Sequence, residues 1–289
     1  MITPQTKAQK LTSAIGLNTD LYLKREDLHP YGSHKGRSIP VMIEIYIKEG
    51  WKDFCISSSG NAALAAIYTI KDLNQKSGNQ NTLHVFVGNH IKPEKLERLE
   101  QTKANDENII IEKVNNPKQS AFIMNKESKA KNLRQSTDDN ALIGYQTLVD
   151  ELSKIKNLTA VFIPTSSGTT AQGLYLGFKK HGLSPQIHIV QTPKCHPLVD
   201  SSPIGNSIAN AIVDTVGYRK EAIQKILQET AGKGWIAEDK DIIDSQKQIK
   251  ETEGLDISPN SALSIAGLNL ALKAGWEFEG TVVCLVTGL

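Results

Sequence analysis

Short, β-rich apolar runs alternate with longer amphipathic stretches along this chain. Leu21–Lys24, Phe54–Ser57, Leu83–Val87, Ile109–Glu112, Ala160–Pro164, Ile187–Gln191 and Val282–Val286 are mostly near-continuous in apolar residues, as strands covered on both faces are. Between them, Ile39–Glu49, Ala62–Leu73, Pro93–Gln101, Leu142–Ile155, Ala171–His181, Arg219–Gln228 and Asp241–Glu253 read as helices. Strands separated by helices of this length predict βαβ units and parallel sheet. The polar stretch Asn115–Asn140 fits a surface helix, a mobile lid or a domain crossover equally well. There is no internal repeat and no long Pro/Gly/Ser linker.

Composition narrows the class. The 289 residues carry 33 Lys+Arg against 31 Asp+Glu, a net +2, and 39% are hydrophobic. A chain of this size buries roughly three quarters of its unfolded surface and needs no disulfide or metal staple. Near-neutral charge without a basic block argues against a nucleic-acid surface. The longest apolar stretches, around Ala62–Tyr68 and Val282–Val286, are too short to span a bilayer, so no membrane partner is expected. The start, Met-Ile-Thr-Pro-Gln-Thr-Lys, lacks a charged segment followed by an apolar one, so no signal peptide is expected. Cys55, Cys195 and Cys284 show no CxxC spacing, which predicts a reducing, cytoplasmic setting and no metal site. Cys55 and Cys284 fall inside predicted strands and read as small core residues. The adjacent Cys195-His196 lacks further ligands nearby. Trp235 and Trp276 read as packing or surface-edge aromatics, and Lys92–Lys103 as a solvated helical face.

Four loops carry candidate chemistry. Gly32-Ser33-His34-Lys35-Gly36-Arg37 follows a strand and puts Lys35 at the start of a helix. The helix dipole and partial burial there disfavour its protonation, and a neutral amine is what Schiff-base chemistry needs. A solvated lysine in a basic turn is the ordinary alternative. Ser57-Ser58-Ser59-Gly60-Asn61 opens a helix directly after a strand, where backbone N–H groups and hydroxyls favour a carboxylate or phosphate. An ordinary Ser/Asn N-cap explains the same residue types. Pro164-Thr165-Ser166-Ser167-Gly168-Thr169-Thr170 repeats the arrangement and suits a phosphate group. It has neither the Walker Lys-Ser/Thr pair nor GxGxxG spacing. Last, Thr287 closes a buried-strand run, at the strand's carboxyl end where open α/β folds place ligands.

One lysine, two anion cradles and a neutral hydroxyl, in this order, resemble the fold-type II pyridoxal-phosphate enzymes. That family is tryptophan synthase β-like and includes threonine synthase, threonine ammonia-lyase and cysteine synthase. Thr3-Pro4, Lys24-Arg25-Glu26-Asp27, Gly32-Ser33-His34-Lys35 and Ser58-Ser59-Gly60-Asn61 carry the resemblance in the first half. Gly144-Tyr145-Gln146-Thr147, Val190-Gln191-Thr192, Ser207–Ile212, Ser261-Ala262, Ala266-Gly267-Leu268 and Thr287-Gly288 extend it toward threonine synthases. The resemblance implies an α/β, two-lobed, three-layer αβα fold with pyridoxal 5'-phosphate between the lobes. The large lobe would be residues 1–42 and 141–289 and the small mobile lobe 43–140. Lys35 would carry the cofactor as a Schiff base and act as the catalytic base. Asn61 would bond its phenolic oxygen, Ser58, Ser59 and Gly60 the substrate carboxylate, Ser166, Ser167, Gly168, Thr169 and Thr170 the phosphate, and Thr287 the pyridine nitrogen.

The implied activity is β- or γ-elimination or replacement on a small amino acid, most like threonine synthase acting on O-phosphohomoserine, in a homodimer. A neutral partner at Thr287 would leave the pyridine nitrogen largely unprotonated and favour elimination or replacement over transamination. Several departures point elsewhere: Ser166-Ser167-Gly168 differs from the usual phosphate loops, and Ser258 replaces an acidic residue before the Pro-x-Ser-Ala segment. Alternatives are a threonine/serine ammonia-lyase, a cysteine-synthase-like enzyme, an inactive regulatory member, and an unrelated doubly wound nucleotide-binding protein. Phosphohomoserine needs a second anion site, for which Lys24, Arg37 and Lys194 are candidates, each with surface charge as the ordinary alternative.

Overall fold

The computed structural model describes residues 2–78, 80–200 and 205–288. In chain order the elements are β1 (Gln5–Lys7), α1 (Gln9–Ala14), β2 (Leu21–Arg25), α2 (Lys35–Lys48), β3 (Asp53–Ser57), α3 (Asn61–Ser77), β4 (Thr82–Gly88), α4 (Pro93–Lys103), β5 (Ile109–Val114) and α5 (Pro117–Lys126). There follow β6 (Lys131–Asn132), α6 (Asn140–Leu152), β7 (Leu158–Pro164), α7 (Thr169–Lys180), β8 (Gln186–Gln191), α8 (Lys220–Glu229), β9 (Gly234–Ile236), α9 (Asp239–Glu253), α10 (Pro259–Lys273) and β10 (Thr281–Val286). Leu289, which ends the run expected to carry Thr287, lies outside the described residues, as does Met1.

The chain divides into a split unit, Met1–His29 with Tyr145–Leu289, and an inserted unit, Pro30–Gly144. The split unit holds a sheet of order β1-β2-β10-β7-β8-β9, parallel except for β1. The inserted unit holds the all-parallel sheet β5-β4-β3-β6. Every residue of β10 is buried. Val282, Cys284 and Val286 pack into one core, with α10, while Val283 and Leu285 pack into another. A strand's two-residue alternation thus splits one continuous apolar run between two layers.

All seven expected strands are present, most a residue or two longer. Differences from the pattern have local causes. Helix α2 begins at Lys35 rather than Ile39, because Gly36 and Pro40 mask its first turn. Its apolar face, Ile39, Met42, Ile43 and Tyr46, packs with Phe54, Leu64, Ile67 and Val85, so the helix belongs whole to the inserted unit. The unit boundaries accordingly fall at 29/30 and 144/145 instead of 42/43 and 140/141. The polar stretch resolves into the surface helix α5 and the two-residue strand β6. Helix α10 had no periodic signal because Ser261 through Leu268 are all buried, leaving no polar face to mark a helical repeat.

Lys24 is corrected as an anion-site candidate. It is fully buried; its Nζ pairs with Glu151 and donates to the Thr3 carbonyl at 2.7 Å. The Thr3 N–H donates to Glu151 Oε2 at 3.0 Å and its hydroxyl to Glu26. The Thr3 and Lys24-x-Glu26 matches thus form a buried polar knot in the split unit. Breaking one partner of such a pair costs about 3–5 kcal/mol. Cys55 and Cys284 are buried strand residues, and burial pushes both thiols up, Cys55 to about 12. Among the described residues no helix is long and apolar enough to cross a membrane.

Candidate active site

In the inserted unit, Lys35 is the first residue of α2. The buried Ser33 hydroxyl accepts the Lys35 backbone N–H at 3.3 Å, and Gly36 N–H returns to the Ser33 carbonyl at 3.0 Å. One turn on, Ser38 donates to the Ala141 carbonyl and accepts from Gln135 Nε2, both at 2.8 Å, which fixes the helix start. Lys35 is half-buried, and its amine has no hydrogen-bond or ion-pair partner among the described residues.

Ser58-Ser59-Gly60 joins β3 to α3 in the same unit. The N-cap of α3 is Gly60, so the serines are not the capping residues that an ordinary turn would make them. Among the described residues Ser58–Gly60 are lightly held: Gly60 N–H meets Ser58 Oγ at 3.3 Å, and Leu64 N–H meets the Gly60 carbonyl at 3.1 Å. Residues 57–61 are all half-buried. Asn61 starts α3.

In the split unit, Thr165-Ser166-Ser167-Gly168 joins β7 to α7. Gly168 is the N-cap, with φ +85°, and donates its N–H to Thr165 Oγ1 at 2.9 Å. Ser167 and Thr169 hydroxyls lie 2.8 Å apart. Gln191, fully buried at the end of β8, donates from Nε2 to the Thr165 and Ser166 carbonyls at 3.3 and 3.0 Å; its Oε1 accepts Leu198 N–H at 3.1 Å. With the loop carbonyls tied back, the N–H end of α7 is what the loop presents, a natural anion cradle. Ser166 also ties this loop to another. Its hydroxyl accepts the N–H groups of Val213 and Asp214 at 3.0 and 2.8 Å, which joins the two loops and leaves the hydroxyl proton to donate. Cys195 grips the same residue from the other side, donating to the Asp214 carbonyl at 2.9 Å. His196 Nδ1 is 3.0 Å from the Thr192 carbonyl.

Thr287 follows β10 and is buried among hydroxyls. Its Oγ1 is 3.5 Å from Ser261 Oγ. Ser258, which caps α10, and Ser261 both hydrogen-bond the Gly288 carbonyl, at 2.6 and 2.7 Å. Of the phosphate candidates, Arg37 is buried and Lys194 exposed. The bracing roles of Gln191 and Ser261 were not read from sequence. Both stood inside stretches that matched the family, which was the only signal.

The donor set suits pyridoxal phosphate: an amine without an internal partner, a helix N-terminus with short hydroxyls for a phosphate, and a neutral hydroxyl for a pyridine nitrogen. The family model described as pyridoxal-phosphate dependent enzyme matches residues 2–288. This chain belongs to that family, and pyridoxal phosphate is its cofactor. The threonine synthase of Methanosarcina acetivorans is 25% identical over 99% of this chain and 74% of its own length. That of Mycobacterium leprae is 27% identical over 99% and 80%. Among solved structures, threonine deaminase isoform 2 from Solanum lycopersicum superposes with a TM-score of 0.82 at 19% identity, over 99% of this chain and 78% of that one. Maize serine racemase gives 0.80 at 18%, over 99% and 87%. The last two establish the fold, a fold-type II α/β architecture.

Proposed function

We infer that this chain catalyses elimination or replacement at the β or γ carbon of an amino acid, acting as a threonine synthase on O-phosphohomoserine. The observation that carries this is the match, over 99% of the chain, to proteins named threonine synthase. When bound, pyridoxal phosphate supplies the electron sink for negative charge at the substrate α-carbon. Lys35 would hold the cofactor through its amine and would move the proton at the substrate α-carbon. Its place at a helix start, with the amine uncommitted, supports both tasks. Ser58, Ser59 and Gly60 receive the substrate carboxylate, and Asn61 the phenolic oxygen. Ser166, Ser167, Gly168, Thr169 and Thr170 hold the phosphate, and Ser166 also secures the loop. Thr287 faces the pyridine nitrogen.

Threonine and inorganic phosphate formed from O-phosphohomoserine test the reading directly. Lys35→Ala is expected to remove the borohydride-bleachable visible band and to lower turnover at least about 10³-fold. A threonine/serine ammonia-lyase is the second reading. It is favoured by the loss of Lys24 to a buried ion pair, which leaves Arg37 and Lys194 for the substrate phosphate. Ketoacid and ammonia from threonine or serine, with no threonine from O-phosphohomoserine, would replace the first reading by the second.

A further inference from the structure

Residues 205–218 carry no helix or strand, and one stretch of them, Ser207–Asp214, is fastened across the carboxyl end of the split unit's sheet. Asp239, first in α9 and just past β9, accepts the Ser207 hydroxyl and the Ile208 N–H on one oxygen, at 2.9 and 3.0 Å. Asn260, second in α10, accepts the Ala211 N–H at 2.9 Å, and Ser166, just past β7, accepts those of Val213 and Asp214. Cys195, past the end of β8, donates to the Asp214 carbonyl at 2.9 Å. Ala209 and Ile212 pack into the core while Ile208 and Val213 stay exposed, at the end of the sheet where parallel α/β folds place ligands. A strap with so little backbone structure of its own is as ordered as its fasteners.

Ser166 is the fastener that also belongs to the phosphate cradle. A hydroxyl accepts two hydrogen bonds and donates one. Here the strap fills both acceptor places, and the proton is left over. Within the chain that proton has the Cys195 sulfur, 3.9 Å away and a weak acceptor. A phosphate oxygen is charged and accepts far more strongly. We propose that Ser166 couples the cofactor's phosphate to the strap Ser207–Asp214: its proton turns from the Cys195 sulfur to the phosphate, and the polarised hydroxyl then holds the two strap N–H groups more tightly. Cofactor occupancy thus firms one wall of the split unit's ligand end, and a fastened strap in turn favours cofactor binding by the same factor. The proposal rests on the reading of residues 166–170 as the phosphate cradle and adds what that cradle controls.

The test is hydrogen exchange read residue by residue in the full chain, cofactor-free and loaded with pyridoxal phosphate, with inorganic phosphate alone and pyridoxal alone as partial ligands. In wild type, pyridoxal phosphate and inorganic phosphate are both expected to slow exchange at Val213 and Asp214 about three- to tenfold, the worth of one neutral hydrogen bond, and pyridoxal is not. Ser166→Ala is expected to exchange faster at both amides and to lose this slowing, while the Thr170 amide in the cradle is still slowed. Ser166→Thr, which keeps the hydroxyl, is expected to restore it. Asn260→Ala loosens the strap from another anchor: faster exchange at Ala211, Val213 and Asp214 should come with cofactor binding weakened about fivefold in equilibrium dialysis, the low end of a site-to-site coupling. Slowing at Thr170 without slowing at Val213 and Asp214 overturns the coupling and leaves the cradle standing. No slowing at Thr170 in wild type fails the cradle, and the coupling with it. Equal slowing by pyridoxal alone, or a looser strap at unchanged affinity in Asn260→Ala, also overturns the coupling.

Discussion

Ser58–Asn61 in the inserted unit and Thr165–Thr170 in the split unit are the same device, a strand, a hydroxyl-rich turn with a glycine N-cap, and a helix. They are held very differently. The split unit's turn is braced by Gln191 on two carbonyls, by Thr165 on the Gly168 N–H, and by Ser166 on two backbone N–H groups. In the inserted unit, Ser58–Gly60 have, among the described residues, the long 3.3 Å contact from Gly60 to Ser58 and one backbone bond from Leu64, while Asn61 has an interaction of its own. The contrast matches the ligands assigned to them. A cofactor phosphate stays through every turnover, and a preorganised cradle binds it without paying to order the loop. A substrate carboxylate must enter and leave, which a lightly held turn permits.

The glycines offer the sharpest way to break this comparison. At Gly168, φ is +85° and an added Cβ would sit 2.7 Å from Ile223 Cγ1 and 3.2 Å from Leu198 Cδ1. Strain and overpacking together predict that Gly168→Ala loses about 2–5 kcal/mol by urea unfolding. At Gly60, φ is −138° and nothing lies within 4 Å of the added Cβ. Gly60→Ala should keep stability within about 0.5 kcal/mol, yet raise KM, because the methyl occupies the open space assigned to the substrate. Equal stability losses at the two positions would end the distinction. Gln191→Leu comes next. It strips partners from the Thr165 and Ser166 carbonyls and the Leu198 N–H, predicting a loss of about 2–4 kcal/mol and weaker cofactor binding in equilibrium dialysis. Ser58→Ala, its counterpart in the other loop, should leave both stability and cofactor binding near wild type and act on KM alone.

How much of this was legible beforehand follows from what each residue does alone. Strands such as Val282–Val286 announced themselves because burial on both faces leaves an unbroken apolar run. The same burial hid α10, whose helical repeat needs a polar face to be seen. Lys35 and the serine-glycine turns were visible because strand, turn and helix start are consecutive in sequence. The settings of Lys24 and Ser166 were not legible, for the opposite reason. A lysine beside arginine looks solvated until Glu151, far along the chain, is folded against it. Nothing near Ser166 in sequence announces the Val213 and Asp214 N–H groups that its hydroxyl accepts. Gln191 belongs with them, since its role consists entirely of partners that sequence does not place nearby.

Acid offers the gentlest test of the braced side, through a residue three positions before Gln191 on β8. His188 is fully buried, stacked on Phe162 with ring centroids 4.4 Å apart, and edge-on to Trp276 at 4.9 Å. Trp235 Nε1 donates to its Nδ1 at 3.1 Å, so Nε2 carries the proton and faces Gln186 Oε1 at 3.2 Å. Burial pushes its pKa down from 6.5 to about 3. Between those values the unfolded chain takes up a proton that the native one refuses, so stability falls as pH falls, by at most about 1.4 kcal/mol per pH unit. Relative to pH 7, about 2 kcal/mol should be gone at pH 5. Urea unfolding of wild type and His188→Phe at pH 7, 6 and 5 isolates this contribution. The variant leaves the Trp235 N–H without its acceptor and is less stable throughout, but its pH dependence should be flatter by that amount. Hydrogen exchange at pH 5 should then show β8 and residues 165–170 opening in wild type while residues 58–61 exchange as they do at pH 7, after correction for intrinsic rates. Parallel pH slopes in the two proteins would remove His188 from the account and leave the bracing of the split unit insensitive to acid.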